Sequence, residues 1–141
     1  MKIQIVETNR QREQAERIRM TVFVKEQNVP VELELDEYDQ EAIHFIGYQD
    51  GQPIAASRLR FMNQYGKLER ICVLKTHRGK SYGQQLIQQM EKEIKKHGYT
   101  HAVLHAQTQA IDFYKRIGYI VTSDEFVDAG IPHVTMEKIL S

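Results

Sequence analysis

The chain has 141 residues, enough for one domain with its own core, and its 19 basic residues balance 19 acidic ones. That balance gives no electrostatic case for a nucleic-acid or membrane partner. A single cysteine, Cys72, excludes an intramolecular disulfide and a cysteine zinc site. Nothing approaches the ~18 apolar residues of a spanning helix, and Met1 to Arg10 lacks the apolar segment of a secretion signal. The expectation is a soluble, cytoplasmic protein with a single domain over 1–141.

Lys2 to Glu7 alternates Ile3 and Ile5 with polar neighbours and predicts a first strand. Thr8-Asn9-Arg10-Gln11 has the form of a capping box, and Ala15, Ile18 and Val22 follow at helical spacing. The helix is expected to reach about Lys25 and to end before Asn28-Val29-Pro30. Val31 to Glu41 is acidic, with no structure assigned to it. Ala42 to Gln49 and Pro53 to Met62 predict strands joined at Asp50-Gly51, a strong hairpin signal. A turn at Asn63-Gln64-Tyr65-Gly66 leads into a strand from Lys67 to Leu74. Gln84 to His97 is the clearest helix: Leu86, Ile87, Met90 and Ile94 form its stripe, Glu91 faces Lys95, and Gly98 stops it. Tyr99 to Ala106 predicts a strand, Thr108 to Arg116 a short helix stopped at Gly118, and Tyr119 to Thr122 and Val134 to Leu140 the last strands. The order β-α-β-β-β-α-β-α-β-β implies an α/β domain, a mixed sheet with helices on both faces.

Arg78-Gly79-Lys80-Ser81-Tyr82-Gly83-Gln84 lies between the strand ending at Leu74 and the long helix. A glycine-bearing turn that opens a helix leaves N–H groups without partners at the positive end of the helix dipole, a site for phosphate or pyrophosphate. It is not a P-loop, because the position five before Gly79 is Leu74, and it lacks the G-x-G-x-x-G dinucleotide fingerprint. The plain alternative is a strand-to-helix turn with surface charges.

With the element order, two segments resemble the GNAT superfamily of acetyl-CoA-dependent N-acetyltransferases. Ile71-Cys72-Val73 through Gln84 is similar to its R-x-x-G-x-G/A pyrophosphate loop and the strand before it. Ala110-Ile111-Asp112-Phe113-Tyr114-Lys115-Arg116-Ile117-Gly118-Tyr119 is similar to its A-x-x-F-Y-x-x-x-G-F segment. Ser81 stands where the superfamily usually has Gly, and Gln107 where an Asn is common. Phe23-Val24-Lys25-Glu26-Gln27, Arg78 to Leu86, Ala106-Gln107 and Gly130-Ile131-Pro132-His133 are similar to a narrower, ElaA-like branch.

The resemblance implies direct transfer of acetyl from acetyl-CoA to a primary amine in a ternary complex. It implies that acetyl-CoA lies on Ile71, Cys72, Val73, Arg78, Gly79, Lys80, Ser81, Tyr82, Gly83 and Gln84, with Gln107 and Tyr114 beside it. Tyr114 matches the family's general acid, although a phenol near pKa ~10 protonates a thiolate only with tuning or strong hydrogen bonding. Its plain alternative is a core tyrosine. Glu69 is a candidate base, placed by strand alternation on the face of Ile71 and Val73, or a salt-bridge partner for Lys67 or Arg58. His133 and His44 are further candidates, since histidine titrates near neutrality. Cys72, in an apolar run, reads as a small hydrophobe. His101 and His105 share a strand face, but two ligands without a third do not make a metal site.

The superfamily's variable substrate loop coincides with the acidic stretch, so Glu26, Glu34, Asp36 and Asp39, with His44, are expected to face a cationic acceptor, or else to be plain solvated surface. The acceptor is a small-molecule or protein amine, with neither nucleic acid nor membrane as partner, and the protein a monomer or a homodimer. The alternative is a non-catalytic acyl-CoA-binding sensor or regulatory module. Ser81 and Gln107 leave room for it, whereas Tyr114 favours the enzyme.

Overall fold

In the computed structural model, which describes residues 1–141, the expected mixed sheet forms with eight strands. These are β1 (Lys2–Ile5), β2 (Ile43–Gln49), β3 (Gln52–Phe61), β4 (Gly66–Val73), β5 (His101–Gln107), β6 (Ile120–Val121), β7 (Phe126–Asp128) and β8 (Ile131–Ile139). The spatial order is β1-β2-β3-β4-β5-β8-β6, with β7 on β8. Every pairing is antiparallel except β4 with β5. The β2–β3 turn has positive φ at both Asp50 and Gly51, as the Asp-Gly signal requires.

Four α-helices cover the sheet: α1 (Asn9–Arg19), α2 (Val31–Glu34), α3 (Tyr82–Lys96) and α4 (Ile111–Arg116). The capping box forms, with Thr8 Oγ1 accepting from Gln11 N–H and Gln11 Oε1 accepting from Thr8 N–H, each at 3.1 Å. The helix does not stay α to Lys25. Met20–Glu26 is π-helical, and Gln27 N–H reaches back five residues to Val22 O. One side of the sheet buries Leu86, Ile87, Met90 and Ile94 of α3 against Phe45, Leu59, Leu68 and Leu104. Each such side chain contributes roughly 1.5–3 kcal/mol when fully buried. A Cβ on Gly66 would stand 2.5 Å from Ile94 Cγ1, so the glycine lets α3 lie close where β4 meets β5. The other side packs Ala15, Ile18 and Val22 on Ile46, Ala56 and Cys72. Glu91 does not pair with Lys95; it accepts from Tyr119 Oη at 2.7 Å and from Lys138.

Three features depart from the sequence reading. The acidic stretch is ordered as α2 and a 3₁₀ turn at Glu37–Gln40, capped by Asp36. The C-terminal region carries an extra hairpin, because β8 begins at Ile131 and β7 pairs with it through a turn at Ala129-Gly130, both at positive φ. Alanine is not a turn signal, which hides this hairpin in the sequence.

The third departure concerns β4. Its pairing to β3 passes from Arg58↔Glu69 to Ala56↔Cys72, so Arg70 and Ile71 both stand opposite Ser57. Arg70 takes φ 56, and this bulge reverses the side-chain alternation. Leu68 belongs to the α3 side of the sheet, yet Cys72, four residues on, belongs to the α1 side. Glu69 therefore does not share the face of Ile71 and Val73, which correction follows directly from the extra residue. Beyond Leu68↔Leu104, β4 and β5 no longer pair, although β4 runs on to Val73 and β5 to Gln107. The sheet opens there into a wedge.

Candidate active site

On the α3 side of the wedge, β4 leads through a 3₁₀ turn at Lys75–His77 to the loop that starts α3. Gly79 takes φ 81 and Ser81 φ 64, so Ser81 adopts the left-handed geometry that glycine would supply, at a cost of roughly 1–2 kcal/mol. The N–H groups from Gly79 to Gln84 have no acceptor within the protein. Gly79 and Ser81 to Gln84 border a cavity of about 550 Å³ with Ile71, Cys72, Val73, Phe113 and Tyr114. A Cβ on Gly83 would meet only Phe113 Cζ, at 3.8 Å, so the residue is open on its cavity side. Leu74 N–H is bonded to Ile54 O, and by alternation Val73 N–H turns the other way, toward the gap that β5 has left. The Lys80 side chain does not border this cavity. Cys72 is buried and bonded to Ala56 O, and burial pushes its thiol up to about 12, so it is an inert core residue.

Arg78 donates to Val73 O at 2.9 Å and, through Nη1 and Nη2, to Glu26 at 2.6 and 2.9 Å. This corrects the expectation for Glu26: it ties the π-helical end of α1 to the loop instead of facing an acceptor. Gln107 also lies elsewhere than expected. It does not line the cavity beside the loop but donates to Gln27 Oε1 at 2.8 Å on the opposite side of the wedge.

On that opposite side, adjoining cavities of about 280 and 290 Å³ share Phe23, Gln27, Glu69, Asp128 and His133. His133 Nδ1 stands 2.7 Å from Ile131 O, which can only accept, so that nitrogen carries a proton and Nε2 is the one left for a ligand. Its ring stacks on Phe126 at 6.0 Å, and His105 meets Phe126 edge-on at 5.0 Å. Burial, then the Lys67 charge, holds His105 below its ordinary value. His101 instead pairs with Glu137 at 2.6 Å. Ile71 and Tyr114 border this side and the larger cavity alike. The Tyr114 hydroxyl has no partner in the protein, and burial pushes it up to about 12.

Glu69 is a poor base. Burial alone would raise its carboxyl, but the Arg60 hydrogen bond and the charges of Arg58, Lys67 and Arg60 outweigh that and hold it at about 2. The other acidic candidates are likewise committed to arginines. Glu34 accepts from Arg19 at 2.8 Å and faces Arg70 at 3.2 Å; Asp39 accepts from Arg19 at 2.7 Å and Arg58 at 3.0 Å. Asp36 pairs with Arg58 at 2.6 Å and Arg70 at 3.2 Å. Arg19, Arg58, Glu34 and Asp39 are all buried, so this is an interior ion network and not a steering surface. His44 is buried beneath it, 2.7 Å from Asp39 O and away from the cleft. The sequence reading missed Phe23, Gln27, His105 and Asp128 as cleft residues. Gln27 lies in a segment that carried the resemblance, while no local signal marks Asp128.

A sequence profile of the acetyltransferase (GNAT) domain matches residues 7–140. The uncharacterised N-acetyltransferase YjcF of Bacillus subtilis is 48% identical over 98% of this chain and 99% of its own length. The crystal structure of Escherichia coli ElaA superposes with a TM-score of 0.88 at 25% identity, over 98% of this chain and 99% of its own. An aminoglycoside 6′-N-acetyltransferase complexed with coenzyme A shares the fold, with a TM-score of 0.77 at 13% identity over 99% and 97% of the two chains.

Proposed function

The chain belongs to the GNAT acetyltransferase family and is an acyltransferase, and we propose that it moves acetyl from acetyl-CoA directly to a primary amine in a ternary complex. One observation carries this reading: Ile71 and Tyr114 are walls of the loop cavity and of the 280 Å³ cavity across the wedge, so a ligand in each would meet its counterpart at these two residues. The larger cavity suits the coenzyme, since the unpartnered N–H groups from Gly79 to Gln84 at the start of α3 match a pyrophosphate.

When bound, acetyl-CoA supplies a thioester already activated toward amines. Val73 N–H, and Ile71 N–H by the same alternation, would hold the charge that develops on the acyl oxygen. His133 Nε2 would take the proton from the attacking amine, either directly or through water, while Ile131 O fixes the ring. Tyr114 keeps its proton at neutral pH and would deliver it to the departing sulfur. Glu69, fully engaged with cations, would hold Arg58, Arg60 and Lys67 in place. No helix is long and apolar enough to cross a membrane. The test is thiol release from acetyl-CoA across a panel of amines. Amine-dependent release is expected; calorimetric coenzyme binding without release on any amine would replace the enzyme reading with a sensor.

A further inference from the structure

Every charged side chain around the acceptor-side cavities is held in an ion pair, with one exception. Arg58, Arg60 and Lys67 close on Glu69, and Arg70 closes on Glu34 and Asp36. Asp128 borders both cavities and has neither an ion pair nor a side-chain hydrogen bond. Asp128 is therefore the one charged side chain of this side with no ionic partner, and it is negative. Its position is set by the β7–β8 hairpin, whose pairs Phe126↔His133 and Asp128↔Ile131 put Asp128 two residues along from the ring that stacks on His133. The two-residue turn at Ala129-Gly130 allows little slack there. Two strand residues span about 7 Å, which matches the reach of a short diamine.

We propose that Asp128 is the specificity-determining residue of the acceptor side, and that it pairs with a second positive charge on an amine whose first nitrogen lies at His133. The inference rests on the transferase reading above. It moves cation recognition from Glu34, Asp36 and Asp39, which are engaged by arginines, to the one carboxylate lining the acceptor side that has no cation of its own. An amine with no second charge gains nothing from Asp128, and an amine carrying a carboxylate is repelled by it.

The experiment compares 1,4-diaminobutane, butylamine and 4-aminobutanoate as acceptors for the full-length protein with acetyl-CoA, using thiol release. The wild-type protein is expected to have a KM for the diamine at least about tenfold below that for butylamine, the effect of one charge-assisted pair. Asp128→Asn should raise the diamine KM about tenfold, with kcat and the butylamine KM unchanged. Asp128→Lys should turn the preference toward 4-aminobutanoate. Because Asp128 is solvent-exposed and unpaired, both variants should melt like wild type. Turnover that ignores the second charge, or a diamine preference that survives both substitutions, overturns the role of Asp128 and leaves the transferase reading intact. Absence of turnover with every amine overturns both.

Discussion

The Tyr114 hydroxyl meets the cleft with no partner in the protein, and burial keeps it protonated far above neutral pH. Tyr114→Phe should therefore lower kcat by about 10²–10⁴-fold with coenzyme affinity unchanged, measured by steady-state kinetics beside calorimetry. An unaltered kcat would return Tyr114 to the core. The base can be assigned by contrasting two variants. His133→Gln should lower kcat/KM by a similar factor without a large change in melting. Glu69→Gln should act chiefly on stability, because it removes the carboxylate that answers buried Arg58. The opposite pattern would exchange their roles. Tyr114 was legible because its motif fixes it in a single short helix. The surroundings of Glu69 and His133 were not, because they depend on the bulge at Arg70 and on the hairpin that seats His133 against Phe126.

At the level of elements, α3 and its loop were legible to within a residue or two, since an apolar stripe and a glycine-bearing start are local signals. The loop invites a direct test. Gly83 is open on its cavity side, so Gly83→Leu should fold and melt like wild type yet lose measurable coenzyme binding. Undiminished calorimetric affinity would move the pyrophosphate elsewhere. The acidic segment was legible as charge but not as structure. Its partners lie far along the chain, with Arg19 on α1, Arg58 on β3 and Arg70 on β4, and no periodicity within residues 31–41 announces them. Neutralising Glu34, Asp36 and Asp39 together should destabilise the fold, because it leaves buried Arg19 and Arg58 without these carboxylates. The single substitution Arg19→Ala isolates the effect. It leaves Glu34 buried without its closest cation, and should cost roughly 3–5 kcal/mol. Thermal unfolding showing a fall of only a degree or two would count against the network's importance.

Across the whole molecule, the same network predicts how stability responds to acid. Asp39 and Glu69 are both held at about 2, against ordinary values of 3.8 and 4.5; in each, arginine partners outweigh the opposing effect of burial. Carboxyls depressed in the folded state add stability above their ordinary values and lose it as pH falls toward the folded ones. Glu34 runs the other way, because burial outweighs Arg70 and Arg19 and raises it, but it is one group against two. The melting temperature should thus drop steadily between about pH 5 and pH 2. A flat profile across that window would contradict the pairing.

The separation of β4 from β5 also governs traffic. The wedge is reached from the α3 side through the loop cavity, and from the α1 side past Phe23, Gln27 and the β7–β8 hairpin. A molecule on one side does not stand in the doorway of the other. Neither substrate then has to leave, or even to arrive first, for the second to enter. Initial-velocity plots should give intersecting lines, with each product inhibiting competitively against the substrate that uses its own doorway.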